Sequence, residues 1–256
     1  MAGRPVTFLR AIEATLLCYT GRRDLPELVA ALRSFFHHVG RPARLVIGTD
    51  GTMDAAGLAV LRSLPVAPAI WQPPDFAPPP GAPPVLVDYF QAHPLGKKVC
   101  LLMRAQELAP FVFSDSDILF LPGAAELAKR LSDLTAPGWF MQDCAFSLDR
   151  RMLDAGAPLA PGVNSGLLAF LRPVPFDDAL NRFARLQVPG EFFTEQTIVH
   201  LAMTQAGCQP LPPDLYILQN NDQWLWRDLH VKPGTAARHY ISSFRHKMWL
   251  RVRFNM

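Results

Sequence analysis

The stretch FVFSDSDILFLP, residues 111–122, breaks a hydrophobic strand with two carboxylates. Phe111, Val112 and Phe113 form one apolar run and Ile118 to Leu121 another, with Ser114, Asp115, Ser116 and Asp117 between them. A short apolar run bounded by turn residues is the mark of a strand buried on both faces. This one delivers two carboxylates, two positions apart, at a turn. Held a few ångströms apart they repel, and one takes up a proton unless a cation lies between them. Mn²⁺ or Mg²⁺ suits oxygen donors and can bridge them to phosphate. Aspartates at this spacing arise by chance about once in a chain of this composition, so the context carries the weight. Solvated turn aspartates are the competing reading.

Upstream, strand and helix alternate. TLLCYTG (15–21) is an apolar run stopped by Gly21, as a buried strand is. LPELVAALRSFFHHVG (25–40) has helical spacing, with Pro26 near its start and Gly40 past its end. RLVIGTDG (44–51) predicts a second strand, DAAGLAVLRSL (54–64) a second helix and VAPAIW (66–71) a third strand. This rhythm predicts an α/β fold, a Rossmann-like, mostly parallel sheet flanked by helices. From Trp71 to Pro94 the chain is dense in proline, and an extended loop is expected, with no helix in PPDFAPPPGAPP. Loops of that length often act as lids or binding loops. GKKVCLLMRAQEL (96–108) resumes as a helix. Asp115 and Asp117 thus follow three strand-helix units, near the middle of the sheet, whose carboxyl edge is where ligands sit.

Downstream the pattern is less regular. PGAAELAKRLSDL, FDDALNRFARL and EQTIVHLAMTQAG read as helices, and GWFMQDCAFSL and GVNSGLLAFL as strands. The basic and aromatic end, ARHYISSFRHKMWLRVRF, shows no clear periodicity. A mixed C-terminal half is expected, within a single domain spanning residues 1–256.

Composition bounds the function. The chain has 256 residues, half of them hydrophobic and 18% charged, which is enough for a large core and excludes disorder. A net charge of +3 tolerates a polyanionic ligand without indicating nucleic acid, and no nucleic-acid partner is expected. Cys18, Cys100, Cys144 and Cys208 form no CxxC pair, which argues against zinc and for buried free thiols in a reducing compartment. No run approaches the length of a membrane span, and Glu13 interrupts the apolar N-terminal stretch, so a cytoplasmic protein is expected. Arg245, Lys247, Arg251 and Arg253 in the tail are open to two readings, weak contact with a membrane or an anionic glycan, or a solvated face.

Other marks follow in order. Asn164, Ser165 and Gly166 interrupt an apolar strand, which suggests close backbone approach to a ligand. Thr194 is placed to cap a helix whose first turn holds Glu195 and Gln196. His239-Tyr240 opens the tail and Lys247-Met248-Trp249 follows.

Taken together, these residues resemble the GT-A glycosyltransferases, over roughly residues 15–250, and most closely the retaining family 8 enzymes of the glycogenin and bacterial galactosyltransferase type. The resemblance implies that Asp115 and Asp117 are the DxD pair binding Mn²⁺ (or Mg²⁺) and the donor diphosphate. The family's tail pattern, H-[FY]-x-G-x-x-K-P-W, implies His239 as third metal ligand and Lys247 as a diphosphate-binding lysine. Here two extra residues precede that lysine, Ser242 stands for the glycine and Met248 for the proline. It further implies a basic residue before the DxD, Lys98 with Lys97 as neighbouring alternative. Sugar contacts are implied for Asn164, Ser165 and Gly166, and a sugar or acceptor contact for Asp143. The family's Asp-Gln pair is matched by Glu195-Gln196, the residues expected at the reacting carbon. Tyr19 and Thr20 are assigned to nucleobase and ribose, while Trp224, Trp226 and Trp249 either stack on sugars or pack in the core.

The function implied is transfer of a sugar from a nucleotide-diphosphate sugar, UDP-linked by resemblance, to an unidentified glycan, lipid or protein acceptor, with retention. Residues 1–122 would form the nucleotide-binding half, and residues 123–256 the sugar and acceptor half with the metal-binding tail. Three rivals remain. A haloacid-dehalogenase-like phosphatase would need a small residue where Leu119 stands, and a nucleotidyltransferase a richer glycine loop than YTGRRD. A GT-A-like protein that binds a sugar nucleotide or glycan without turnover is the third.

Overall fold

The computed structural model of the protein describes residues 2–3, 5–156, 162–241 and 244–255. Its spine is a seven-stranded sheet in the order β3-β2-β1-β4-β7-β6-β8. Those strands are β1 (Ala11–Thr20), β2 (Arg41–Thr49), β3 (Pro68–Trp71), β4 (Phe111–Asp115), β6 (Gly138–Gln142), β7 (Val163–Phe170) and β8 (Gln209–Pro210). The first four run parallel, as the alternation predicts; β7 runs antiparallel to β4 and to β6. A second sheet of β5 (Ile118–Phe120), β10 (Ala237–His239) and β9 (Tyr216–Ile217) continues from the turn after β4.

Alternation along the buried strands sorts the core into two layers. Leu16, Leu45, Ile47 and Val112 point to one face, where α1 (Leu25–His38) packs through Leu28, Leu32, Phe35 and Phe36. Leu17, Val46, Phe111 and Phe113 point to the other, against α4 (Pro94–Arg104) and α7 (Thr194–Gln205). Each such large side chain contributes about 1.5–3 kcal/mol of apolar transfer. Gly40 ends the α1 connection at φ +143, and a Cβ there would lie 2.7 Å from the Arg10 carbonyl oxygen. The remaining helices are α2 (Ala55–Arg62), α3 (Pro84–Ala92), α5 (Ala125–Arg130), α6 (Asp177–Leu186) and α8 (Arg245–Asn255).

The proline-rich segment departs from expectation. Pro73–Phe76 forms a 3-10 turn and Pro84–Ala92 is α3. Both begin with proline at their first positions, where the missing N–H has no partner to lose. Gln72 and Asp75 close the 3-10 turn reciprocally, with the Gln72 amide donating to Asp75 Oδ2 at 2.7 Å. Within PPDFAPPPGAPP only 77–83 lacks helix. The tail also orders more than its sequence shows, as strand β10 and helix α8. The helix buries Lys247, Met248 and Val252 and so has no simple apolar stripe. GWFMQDCAFSL is strand only to Gln142.

Candidate functional site

β4 ends at Asp115, beside Tyr19 of β1 in the parallel register. The chain turns through Ser116 and Asp117 into β5, and β10 pairs antiparallel with β5 so that His239 lies opposite Ile118. The Tyr240 amide donates to the Asp117 carbonyl at 2.8 Å, locking that turn to the tail. Asp115, Asp117 and His239 thereby converge, with one ligand atom from each within 4.8 Å of the others.

The hydrogen bonds around His239 test whether a cation suits this cluster. Asn164 Oδ1 accepts from the Gly166 amide at 3.1 Å and sits 3.0 Å from His239 Nδ1. An amide oxygen cannot donate, so Nδ1 carries the proton. Nε2, 3.0 Å from Asp117 Oδ1, then either holds a second proton or turns its lone pair to a cation. A ligating histidine characteristically has its other N–H fixed in this way. Two carboxylates and one imidazole suit Mn²⁺ or Mg²⁺. The donor set therefore fits. Gly166 is explained by the same ring: a Cβ there would lie 2.4 Å from His239 Cε1, so the close approach is to the histidine itself.

Cations flank the carboxylates. Lys98, delivered by α4, places Nζ 3.0 Å from Asp115 Oδ1 and 3.5 Å from Glu195 Oε1. Burial would lower its pKa, but Asp115 and Glu195 outweigh that and hold it raised. Lys97 instead donates to the Asp50 carbonyl at 2.7 Å and does not line the cavity that Lys98 lines. Burial likewise opposes ionisation of Asp117, yet His239 and Arg245 hold its carboxyl below the usual range. Burial pushes Glu195 up; its Oε2 accepts from Ser165 Oγ at 2.9 Å.

Gln196 ties the far wall together. Its Nε2 donates to Asp143 Oδ2 at 2.9 Å and to the Ser147 carbonyl at 2.8 Å, and its Oε1 accepts from Asn164 and the Ser165 amide. Thr194 is the first residue of α7 and does not cap it in the expected way. Its hydroxyl donates to Asp149 Oδ2 at 2.7 Å and accepts from the Glu191 amide, while Arg151 holds the same carboxylate. That pin fixes the first turn of α7, where Glu195 and Gln196 sit.

Most of these groups border one cavity of about 450 Å³; Lys97, Asp149, Arg151, Glu191 and Thr194 stand behind it. Asp115, Asp117, His239, Lys98, Asp143, Asn164, Ser165, Gly166, Glu195 and Gln196 line it. Tyr19, Thr20 and Lys247 do not. Tyr19 donates its hydroxyl to the Pro94 carbonyl at 3.0 Å, and Thr20 is buried at the end of β1. Lys247 is buried against Asp222, Nζ to Oδ2 2.7 Å, away from the cavity wall to which the tail resemblance assigns it. Arg245 lines the cavity in its place, 3.3 Å from Asp117 Oδ2 and 2.5 Å from Asp24 Oδ1. The tail pattern's own spacing could have found it, since Arg245 is the sixth residue after His239 with no insertion needed. Ser242 lies outside the described residues. Phe192, Phe193 and Cys144 also line the cavity and carry no sequence signal. Trp249 packs partly buried beside Tyr240, Phe244 and Met248, whereas Trp224 and Trp226 are exposed.

This architecture is that of the GT-A glycosyltransferases, and solved structures share it at low identity. Mouse xyloside xylosyltransferase 1 superposes with a TM-score of 0.60 at 12% identity, covering 91% of this chain and 99% of that one. The galactosyltransferase LgtC, in complex with donor and acceptor sugar analogs, gives 0.56 at 13% identity, covering 89% and 87%. GlyE of Streptococcus pneumoniae gives 0.53 at 12%, covering 95% and 61%. At such identities the likeness shows the fold. No protein-family model matches the sequence, and no curated protein matches it. No helix among the described residues is long and apolar enough to cross a membrane.

Proposed function

We propose that this protein is a metal-dependent glycosyltransferase that takes a sugar from a nucleotide-diphosphate donor, UDP-linked, and transfers it with retention of configuration. The observation that carries this reading is the convergence of Asp115, Asp117 and His239, one ligand atom of each within 4.8 Å of the others, at the wall of the cavity. A divalent cation held there supplies charge neutralisation for the departing diphosphate. Lys98 and Arg245 add fixed positive charge on either side. Tyr19 and Thr20, at the end of β1, remain our assignment for nucleobase and ribose.

On the far wall, Asp143, Asn164, Ser165 and Glu195 present acceptors and donors to sugar hydroxyls. Gln196 spends its amide on holding Asp143, Asn164 and Ser165. We assign it to the reacting face, where rigid placement of those groups stabilises developing charge. Glu195, buried and beside Lys98, is the second group assigned there.

The test is release of nucleoside diphosphate from a panel of UDP-sugars with and without Mn²⁺. Mn²⁺-dependent release from one of them supports the reading. A protein that only binds would be stabilised by the same donor with no release.

A further inference from the structure

We propose that the segment 219–234 is a membrane-docking loop that seats this protein on an anionic phospholipid surface. Within it Trp224 is 88% exposed, Trp226 81%, Leu225 48% and Leu229 53%. Four large apolar side chains so displayed within six residues form a patch of the kind that marks an interaction site.

The loop is clamped while its apex is bare. Asp222 is buried and receives Lys247 Nζ at 2.7 Å, Arg238 at 3.4 Å and the Leu229 amide at 3.0 Å. Lys247 Nζ also donates to the Arg227 carbonyl at 3.0 Å, and Tyr240 donates to Asp228 Oδ2 at 3.0 Å. Two buried cations and two acids thus hold the base of a loop whose tip presents tryptophan to solvent. An apex pinned in this way loses little conformational freedom on docking.

Charge selects the occupant. The loop's two acids, Asp222 and Asp228, are turned inward onto Arg238, Lys247 and Tyr240. Its exposed charges are Arg227 and Lys232. Tryptophan and leucine beside unpaired cations is the composition of an interfacial anchor, with indoles at headgroup depth and cations on anionic lipid. A second copy of the chain fits less well, because a two-fold contact would oppose Arg227 and Lys232 with no exposed acid in the loop to pair them. Leu218 and Asn220, at the root of the loop, line the cavity, so docking would bring that wall to the lipid surface.

The test is sedimentation of the whole chain with phosphatidylglycerol-containing vesicles, compared with phosphatidylcholine alone. Neither metal nor donor is needed, so the outcome is independent of the proposed transfer activity. Wild type should partition onto the anionic vesicles, with a blue shift of tryptophan fluorescence and weakening by salt. Trp224→Ser/Trp226→Ser should partition about tenfold more weakly, as should Arg227→Glu/Lys232→Glu, all with unchanged thermal midpoints. No partition of wild type, or partition unchanged in the double tryptophan variant, would overturn the proposal. So would loss of a dimer in that variant with no lipid binding by wild type, which would make a second copy the occupant.

Discussion

His239 Nε2 lies 3.0 Å from Asp117 Oδ1 across 122 residues of chain, and the Asn164 amide behind the ring decides what that contact can be. With Nδ1 committed as donor, Nε2 is the ring atom turned to Asp117 and open to a cation. Asp117 also pairs with Arg245. On charge repulsion alone, Asp117→Ala would leave the metal-free protein as stable or more so. The structure reverses that expectation, because the substitution takes a hydrogen-bond partner from His239 and an ion-pair partner from Arg245. Asp117→Ala should cost about 1–3 kcal/mol without metal, and Mn²⁺ should no longer raise its melting temperature. Calorimetry of both proteins with and without Mn²⁺ checks both points; an unchanged metal-induced shift would contradict the assignment.

The two basic residues at the start of α8 should separate cleanly. Arg245→Ala removes a half-buried cavity cation, so it should weaken nucleoside diphosphate binding while sparing most of the stability. Lys247→Ala leaves Asp222 short of a buried partner and should cost about 3–5 kcal/mol. The folded fraction should keep its diphosphate affinity. Urea melts and titration calorimetry on the two variants read this directly, and the reverse pattern would return Lys247 to the site.

Gly166→Ala tests the seat of the histidine. A Cβ there would press on His239 Cε1 at 2.4 Å and Asn164 Oδ1 at 2.9 Å, so the ring must shift from Asp117. Mn²⁺ affinity should fall by about 10–100-fold, as for other residues that orient a metal ligand. An unaltered affinity in a folded variant would show that His239 is not a ligand.

Much of this arrangement was legible in the sequence. β1, α1, β2 and β4 declared themselves because their apolar periods match what they bury, and the carboxylates stood out by interrupting one of those strands. The proline-rich segment misled because proline at a helix's first positions looks, residue by residue, like proline in a loop. Arg245 and Lys247 are both basic and two residues apart, so sequence cannot rank them, and only tertiary packing shows which is spent on Asp222. The pin of Thr194 on Asp149 joins residues 45 apart and leaves no local trace.

That pin sets a pH dependence. Burial pushes the Asp149 carboxyl up, but hydrogen bonds from Arg151 and Thr194 outweigh it and hold it below its ordinary 3.8. A carboxyl lowered on folding contributes stability above its unfolded pKa and loses it as pH falls through the folded value. Asp149→Asn should therefore be less stable than wild type at neutral pH, by about 1–3 kcal/mol. The gap should close as the pH falls below the ordinary 3.8 of an aspartate and through the lower folded value. Denaturant melts across that range check it, and a gap independent of pH would contradict the assignment.

Titration calorimetry of UDP into the wild-type protein and Asp115→Asn/Asp117→Asn, each with and without Mn²⁺, tests the central claim most directly. Asp115, Asp117 and His239 are held to bind a divalent cation that in turn binds the donor's diphosphate. Wild type should bind UDP at least about tenfold more tightly with Mn²⁺ than without, a coupling near 1.4 kcal/mol. The double variant should show no such difference. Equal UDP affinity with and without Mn²⁺ in wild type, or a Mn²⁺ effect that survives in the double variant, would contradict it.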